Sequence, residues 1–157
     1  MKLLSIFIFT MILMPKTMAQ VSGEKAKSIF LELGGSGGLG SINYEKTISN
    51  QSKSLLNYRI GFSLAPIDKN NGTGLVFPLM INKVLGTGTH KMELGLGQGI
   101  TITTKGEFFA LGLANLGYRY QKAESHWFYR ANYTPLISYI ISRQWQHWAG
   151  FSIGYQI

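Results

Sequence analysis

Residues 56–64 read LNYRIGFSL, and every second side chain is apolar. Leu56, Tyr58, Ile60, Phe62 and Leu64 share one face, while Asn57, Arg59, Gly61 and Ser63 share the other. A period of two belongs to a strand whose two faces meet different surroundings. The pattern recurs along the chain. Ile29, Leu31 and Leu33 alternate with Phe30, Glu32 and Gly34; Ile42 and Tyr44 with Ser41, Asn43 and Glu45; Met92, Leu94 and Leu96 with Glu93, Gly95 and Gly97. Further on, Leu116, Tyr118 and Tyr120 alternate with Gly117, Arg119 and Gln121, and Trp127, Tyr129, Ala131 and Tyr133 with Phe128, Arg130, Asn132 and Thr134. At the end, Phe151, Ile153, Tyr155 and Ile157 alternate with Ser152, Gly154 and Gln156. GLVFPLMINKVL at 74–85 is apolar in both phases, and its Pro78 predicts a bulge. A second bulge is expected where the phase changes between Leu113 and Leu116. The joints are short, at 35–39, 50–53, 65–72, 86–89, 102–106, 122–125 and 138–146. Eight strands with short joints predict an all-β, antiparallel, up-and-down arrangement, and no stretch after the first twenty residues has helical periodicity.

The start of the chain is different. MKLLSIFIFTMILMPKTMAQ has a basic Lys2, an apolar run from Leu3 to Met14, and Thr17 and Ala19 as small residues before a possible cut. This layout predicts a secretory signal peptide over residues 1–19, too short to span a bilayer comfortably. A polar lead-in over 20–27 and one β-barrel domain over 28–157 would follow. No cysteine follows the cut, so neither a lipid anchor nor a disulfide framework is expected. The formal charge of +8 includes Lys2 and Lys16, and the remaining basic residues form no stripe. With export, that excludes a nucleic-acid partner as the expected one.

Alternation alone does not say which face is inside. A soluble barrel turns its apolar face inward, whereas a membrane barrel turns it toward lipid. The polar face decides the expectation. It carries glycine, serine, asparagine and glutamine together with Glu32, Glu45 and Glu93 against Arg59, Arg119 and Arg130, while Lys46, Lys53, Lys69, Lys105 and Lys122 sit near joints. Three acids facing three arginines predict a paired charge network in a narrow lumen, where large residues need small neighbours and unpaired charge is costly. The 19 glycines acquire a reason on this reading. Tyr44, Tyr58, Tyr118, Tyr120, Trp127, Tyr129, Tyr133 and Tyr155 are then expected as aromatic girdles at both interfaces. The fold expected is an eight-stranded transmembrane β-barrel with both termini on the periplasmic side, its final strand closing on Ile29–Leu33.

Five stretches, LELGGSGGLGSINYEK (31–46), PLMINKVLGTGTHKMELGLG (78–97), LGYRYQ (116–121), FYRANYTPLI (128–137) and FSIGYQI (151–157), run in an order that resembles the small eight-stranded outer-membrane β-barrels of Gram-negative bacteria. The resemblance is to the OmpA/OmpX-like class, and in particular to short uncharacterised barrels of Bacteroidota. It implies placement in the outer membrane, contact with its lipid and lipopolysaccharide, and recognition by the barrel assembly machinery. Ser152, Gly154, Tyr155 and Ile157 fit the class's terminal assembly pattern, with Ile157 where phenylalanine is usual. The class shares no enzymatic activity, so no catalytic residue is implied.

The residues themselves point the same way. His90, His126 and His147 are far apart and near strand ends, without metal-ligand spacing. GGSGGLG lacks the Lys-Ser/Thr and helix of a phosphate loop. No catalytic, metal or cofactor site is expected. The function expected is a structural or surface-interaction role with a side-chain-filled lumen. A secreted soluble barrel holding a small apolar ligand, and a surface adhesion module, are the alternatives.

Overall fold

A computed structural model describes residues 26–68, 72–138 and 145–157. The expected signal peptide, and all of the polar lead-in before residue 26, lie outside the described residues. Eight strands are present: β1 (Lys27–Gly34), β2 (Gly40–Gln51), β3 (Ser54–Asp68), β4 (Gly72–Leu85), β5 (His90–Thr103), β6 (Phe108–Gln121), β7 (Trp127–Ser138) and β8 (Trp145–Gln156). Each pairs antiparallel with its neighbour, and β8 closes on β1. The closing register runs from Ser28 opposite Gln156 to Gly34 opposite Gly150. Closure leaves no strand edge with unpaired backbone groups. Because β1 begins where β8 ends, both lie at one end of the barrel, here called the terminal end.

The inside is polar. Among the described residues, twenty buried side chains are polar or charged and seven are apolar. Ile29, Leu31, Leu33, Leu94, Leu96, Phe151 and Ile153 face outward and are exposed. This is the reverse of a water-soluble core, where apolar groups leave water.

The structure corrects two expected irregularities. No bulge accompanies Pro78: Ile60 pairs with Leu79 and Ser63 with Val76 in unchanged register. The ladder is interrupted between those pairs on the β3 side, while Pro78 stays opposite Gly99 of β5. The missing N–H of proline accounts for a one-sided loss. Gly61 makes room for the ring, since a Cβ there would lie 2.7 Å from Pro78 Cγ. Nor is there a phase slip in β6, where Leu113–Leu136 and Leu116–Tyr133 share one register. Leu113 is an apolar residue that points inward and is buried. Register shifts occur instead between Thr47 and Ser49 and between Pro66 and Asp68.

The joints are tighter than the sequence suggested. Most of 65–72 is strand, and residues 69–71 and 139–144 are outside the described residues. The 35–39 joint folds inward. Gly35–Gly37 forms a 3-10 turn whose three residues are buried, packed against β3, β4, β7 and β8. It folds into the lumen toward the far end as a partial plug. Gly34, Gly35 and Gly38 have positive φ, which glycine adopts without strain. A Cβ on Gly35 would also stand 2.8 Å from the Glu32 carboxyl carbon.

The aromatic girdle is one-sided. Tyr118, Tyr120, Trp127, Tyr129 and Tyr155 all lie in the terminal-end thirds of β6, β7 and β8, and Tyr58 near the start of β3. Toward the far end the outward aromatics are Phe62, Phe108 and Trp145 instead. The tyrosines and Trp127 are expected at both ends, and of the eight only Tyr44 and Tyr133 lie in the middle of their strands. Tyr44 tilts against Tyr58, with ring centroids 6.3 Å apart.

Candidate functional site: the charged lumen

Strand parity brings all six predicted charges inside. Glu32 of β1, Glu45 of β2, Arg59 of β3, Glu93 of β5, Arg119 of β6 and Arg130 of β7 are each 3% exposed or less. They form five ion pairs. Arg59 pairs with Glu32. Arg119 meets Glu45 at 2.5 Å and Glu93 at 3.9 Å. Arg130 meets Glu45 at 3.3 Å and Glu93 at 3.1 Å. Both Glu45 and Glu93 are thus shared between two arginines.

The pairing is not that of the sheet. Arg59 lies directly opposite Glu45 across the β2–β3 ladder, and Arg119 opposite Arg130. Glu45 instead reaches across the interior to β6 and β7. Side chains in a closed, narrow barrel meet partners on the opposite wall, so lumen contacts follow diameter rather than register.

Neutral groups extend the network, although Glu93 Oε2, Asn115 Oδ1 and Asn132 Oδ1 are buried without a hydrogen-bond partner among the described residues. Glu32 accepts hydrogen bonds from Ser36 of the plug at 3.1 Å, Ser41 at 3.4 Å and Asn132 at 3.2 Å. Asn43 accepts from Arg59 Nε at 2.9 Å and donates to Ser41 at 2.8 Å. Asn115 donates to Glu93 at 3.3 Å. Such bonds satisfy oxygens that the arginines leave free, without which buried ion pairs are poor stabilisers.

Two aromatics that parity places among the polar residues, Phe30 and Phe128, are fully buried at the centre. Their rings meet edge to face at 5.9 Å. The Arg130 guanidinium carbon stands 4.4 Å from the Phe30 centroid, and that of Arg119 stands 4.2 Å from the Phe128 centroid. Cations over desolvated ring faces gain electrostatically from the ring quadrupole. Charge gives no sign of these rings in the sequence. The signal was their phase, opposite to Ile29 and Leu31 and in step with Arg130.

The four residues of the terminal pattern divide by face. Ser152 and Gly154 point inward and are buried, whereas Tyr155 and Ile157 are exposed outside. Gly154 lies opposite both Phe30 and Phe128, and a Cβ there would come within 2.5 Å of Phe128 Cε1 and 2.7 Å of Phe30 Cβ. Packing alone therefore requires glycine at this position.

The network divides the interior. On the far side an apolar cup of about 540 Å³ is floored by Leu113, Leu136 and Trp148 and rimmed by the plug. On the terminal side a polar cavity of about 330 Å³ is lined by Asn57, Lys91, Arg119 and Gln121. His90, His126 and His147 remain apart, each against a tyrosine: Tyr118 and Tyr120, Tyr155, and Tyr133. Among the described residues no group of three metal-ligating side chains converges.

No family model matches the chain, and no curated protein matches its sequence. Among solved structures it is similar to the N-terminal β-barrel domain of Pseudomonas aeruginosa OprF, with a TM-score of 0.61 and 12% identity, over 87% of this chain and 100% of that chain. At that identity the likeness is one of fold: an eight-stranded, closed, antiparallel β-barrel.

Proposed function

We infer that this chain is an outer-membrane β-barrel with a sealed, structural interior and a role in the envelope or at its surface. The carrying observation is the inversion of the two faces. Ion pairs and amides fill the inside, while Leu31, Leu33, Leu96 and Phe151 stand more than half exposed outside. A continuous exposed apolar surface of this kind needs a covering, and a bilayer supplies it. A soluble barrel for an apolar ligand would need the opposite arrangement. The girdle of tyrosines marks the terminal end as an interface, on the periplasmic side in this reading.

The lumen is no open channel. Phe30, Phe128 and the three arginines cross its centre, and Gly35–Gly37 is buried inside it toward the far end. Tyr155 and Ile157, exposed on the lipid-facing side, are available to the assembly machinery before β8 closes. Tyr155→Lys is then expected to reduce insertion in cells more than refolding in detergent, since its direct cost near an interface is only about 0–1 kcal/mol. Fractionation tests the reading as a whole. The chain should be extracted from envelopes by detergent alone, and recovery in the soluble fraction would overturn it.

A further inference from the structure

The interior charges do not balance once the terminal-end cavity is included. Glu32, Glu45 and Glu93 are all engaged by Arg59, Arg119 and Arg130. Lys91 shares the inward phase of Glu93 and is half-buried, directly opposite Arg119 on the neighbouring strand. It has no ion pair among the described residues, and its Nζ has Gln121 Oε1 at 3.5 Å. A fourth cation thus stands beside a third with no acid assigned to it. Like charges so placed repel, and partial burial raises that cost.

The cavity around Lys91 has the other parts of a receptor. Lys122 lines its mouth, and Thr47, Arg119 and the Glu45 carboxylate already paired with Arg119 line its wall. Asn57 also lines it, is 2% exposed, and has no hydrogen-bond partner for Oδ1 among the described residues. A buried acceptor without a donor costs free energy that a ligand hydroxyl would recover. The cavity opens between the turns at 86–89 and 122–125, at the terminal end.

We propose that this cavity binds a phosphate group, as hydrogen phosphate or a small phosphate monoester, from the solution at the terminal end of the barrel. The anionic oxygens sit between Lys91 and Arg119, and the protonated oxygen donates to Asn57 Oδ1. A carboxylate satisfies the cations but offers Asn57 no donor. The volume of about 330 Å³ accommodates phosphate with a small substituent.

The test uses the folded chain in an alkyl maltoside, which carries no phosphate, titrated calorimetrically with inorganic phosphate and with acetate at constant ionic strength. Saturable phosphate binding is expected, weakened about tenfold or more by Lys91→Met through loss of a charge-assisted hydrogen bond. Lys91→Arg retains binding, and Lys53→Met, an exposed lysine at the same end and outside the cavity, leaves it unchanged. Lys91→Met should also raise the unliganded melting temperature, because it relieves repulsion with Arg119. That rise shows the variant is folded and separates a ligand lysine from a structural one. Absence of saturable binding would overturn the proposal. So would acetate binding as tight as phosphate, an equal loss in Lys53→Met, or a lowered melting temperature in unliganded Lys91→Met.

Discussion

The two ends of the lumen are built by the same strands with the same inward phase, yet they solve the interior differently. Toward the terminal end, β5, β6 and β7 contribute Glu93, Arg119 and Arg130 to a network of shared ion pairs. Toward the far end, β4, β6 and β7 contribute Met80, Leu113 and Leu136, packed with Trp148 of β8. Inward phase does not dictate inward polarity. The difference tracks what lines each region. Toward the far end the buried 35–37 turn and the apolar side chains line one open cup, whereas the charges lie where partners on opposite walls can neutralise them.

The largest effect is expected at Arg130. It bridges Glu45 and Glu93 and covers the Phe30 ring. Arg130→Met leaves buried carboxylates under-compensated, and unfolding in detergent should show a loss of about 3–5 kcal/mol. At the other end Leu113→Ala removes packing but no charge. It enlarges an existing cup rather than opening a sealed void, so the same measurement should give about 2–3 kcal/mol, the low side for a buried leucine. Gly154→Ala tests whether the centre is as tightly packed as its rings suggest. The added methyl meets Phe128 and Phe30, with an expected loss of about 1–3 kcal/mol. Ser36→Ala, which severs one bond between the plug and Glu32, should cost least, about 1 kcal/mol.

The apolar–polar phase of β1, β2, β3, β5, the second half of β6, β7 and β8 is readable in the sequence, because two unlike environments impose it on every second residue. That phase put Glu32, Glu45, Arg59, Glu93, Arg119 and Arg130 inside together. Their pairing was not readable. Glu45 bonds Arg119, 74 residues away, across the lumen, and only the closed diameter determines that contact. The plug was hidden for a different reason. GGSGGLG reads as a flexible joint, and nothing local says that Ser36 will reach Glu32. In β6, Leu113 reads as out of phase if inward residues are polar, a condition that fails toward the far end. Phe30 and Phe128 were in the correct phase, but aromatic residues were sought only on the outer face. For Gly154 the terminal pattern suggested a recognition role, whereas the space between two rings is sufficient to require it.

The central claim is that the outer apolar face lies in lipid. The chain contains no cysteine, so a single one can be labelled cleanly. Leu96 is the most exposed large apolar residue of the described strands, at 73%, and lies midway along β5. With a nitroxide on Leu96→Cys in reconstituted vesicles, relaxation by oxygen, which concentrates in the bilayer, is compared with relaxation by a water-soluble nickel chelate. The inverted barrel predicts strong oxygen relaxation and little from nickel. Relaxation by nickel equal to that of a label on exposed Lys53→Cys would place Leu96 in water and contradict the account.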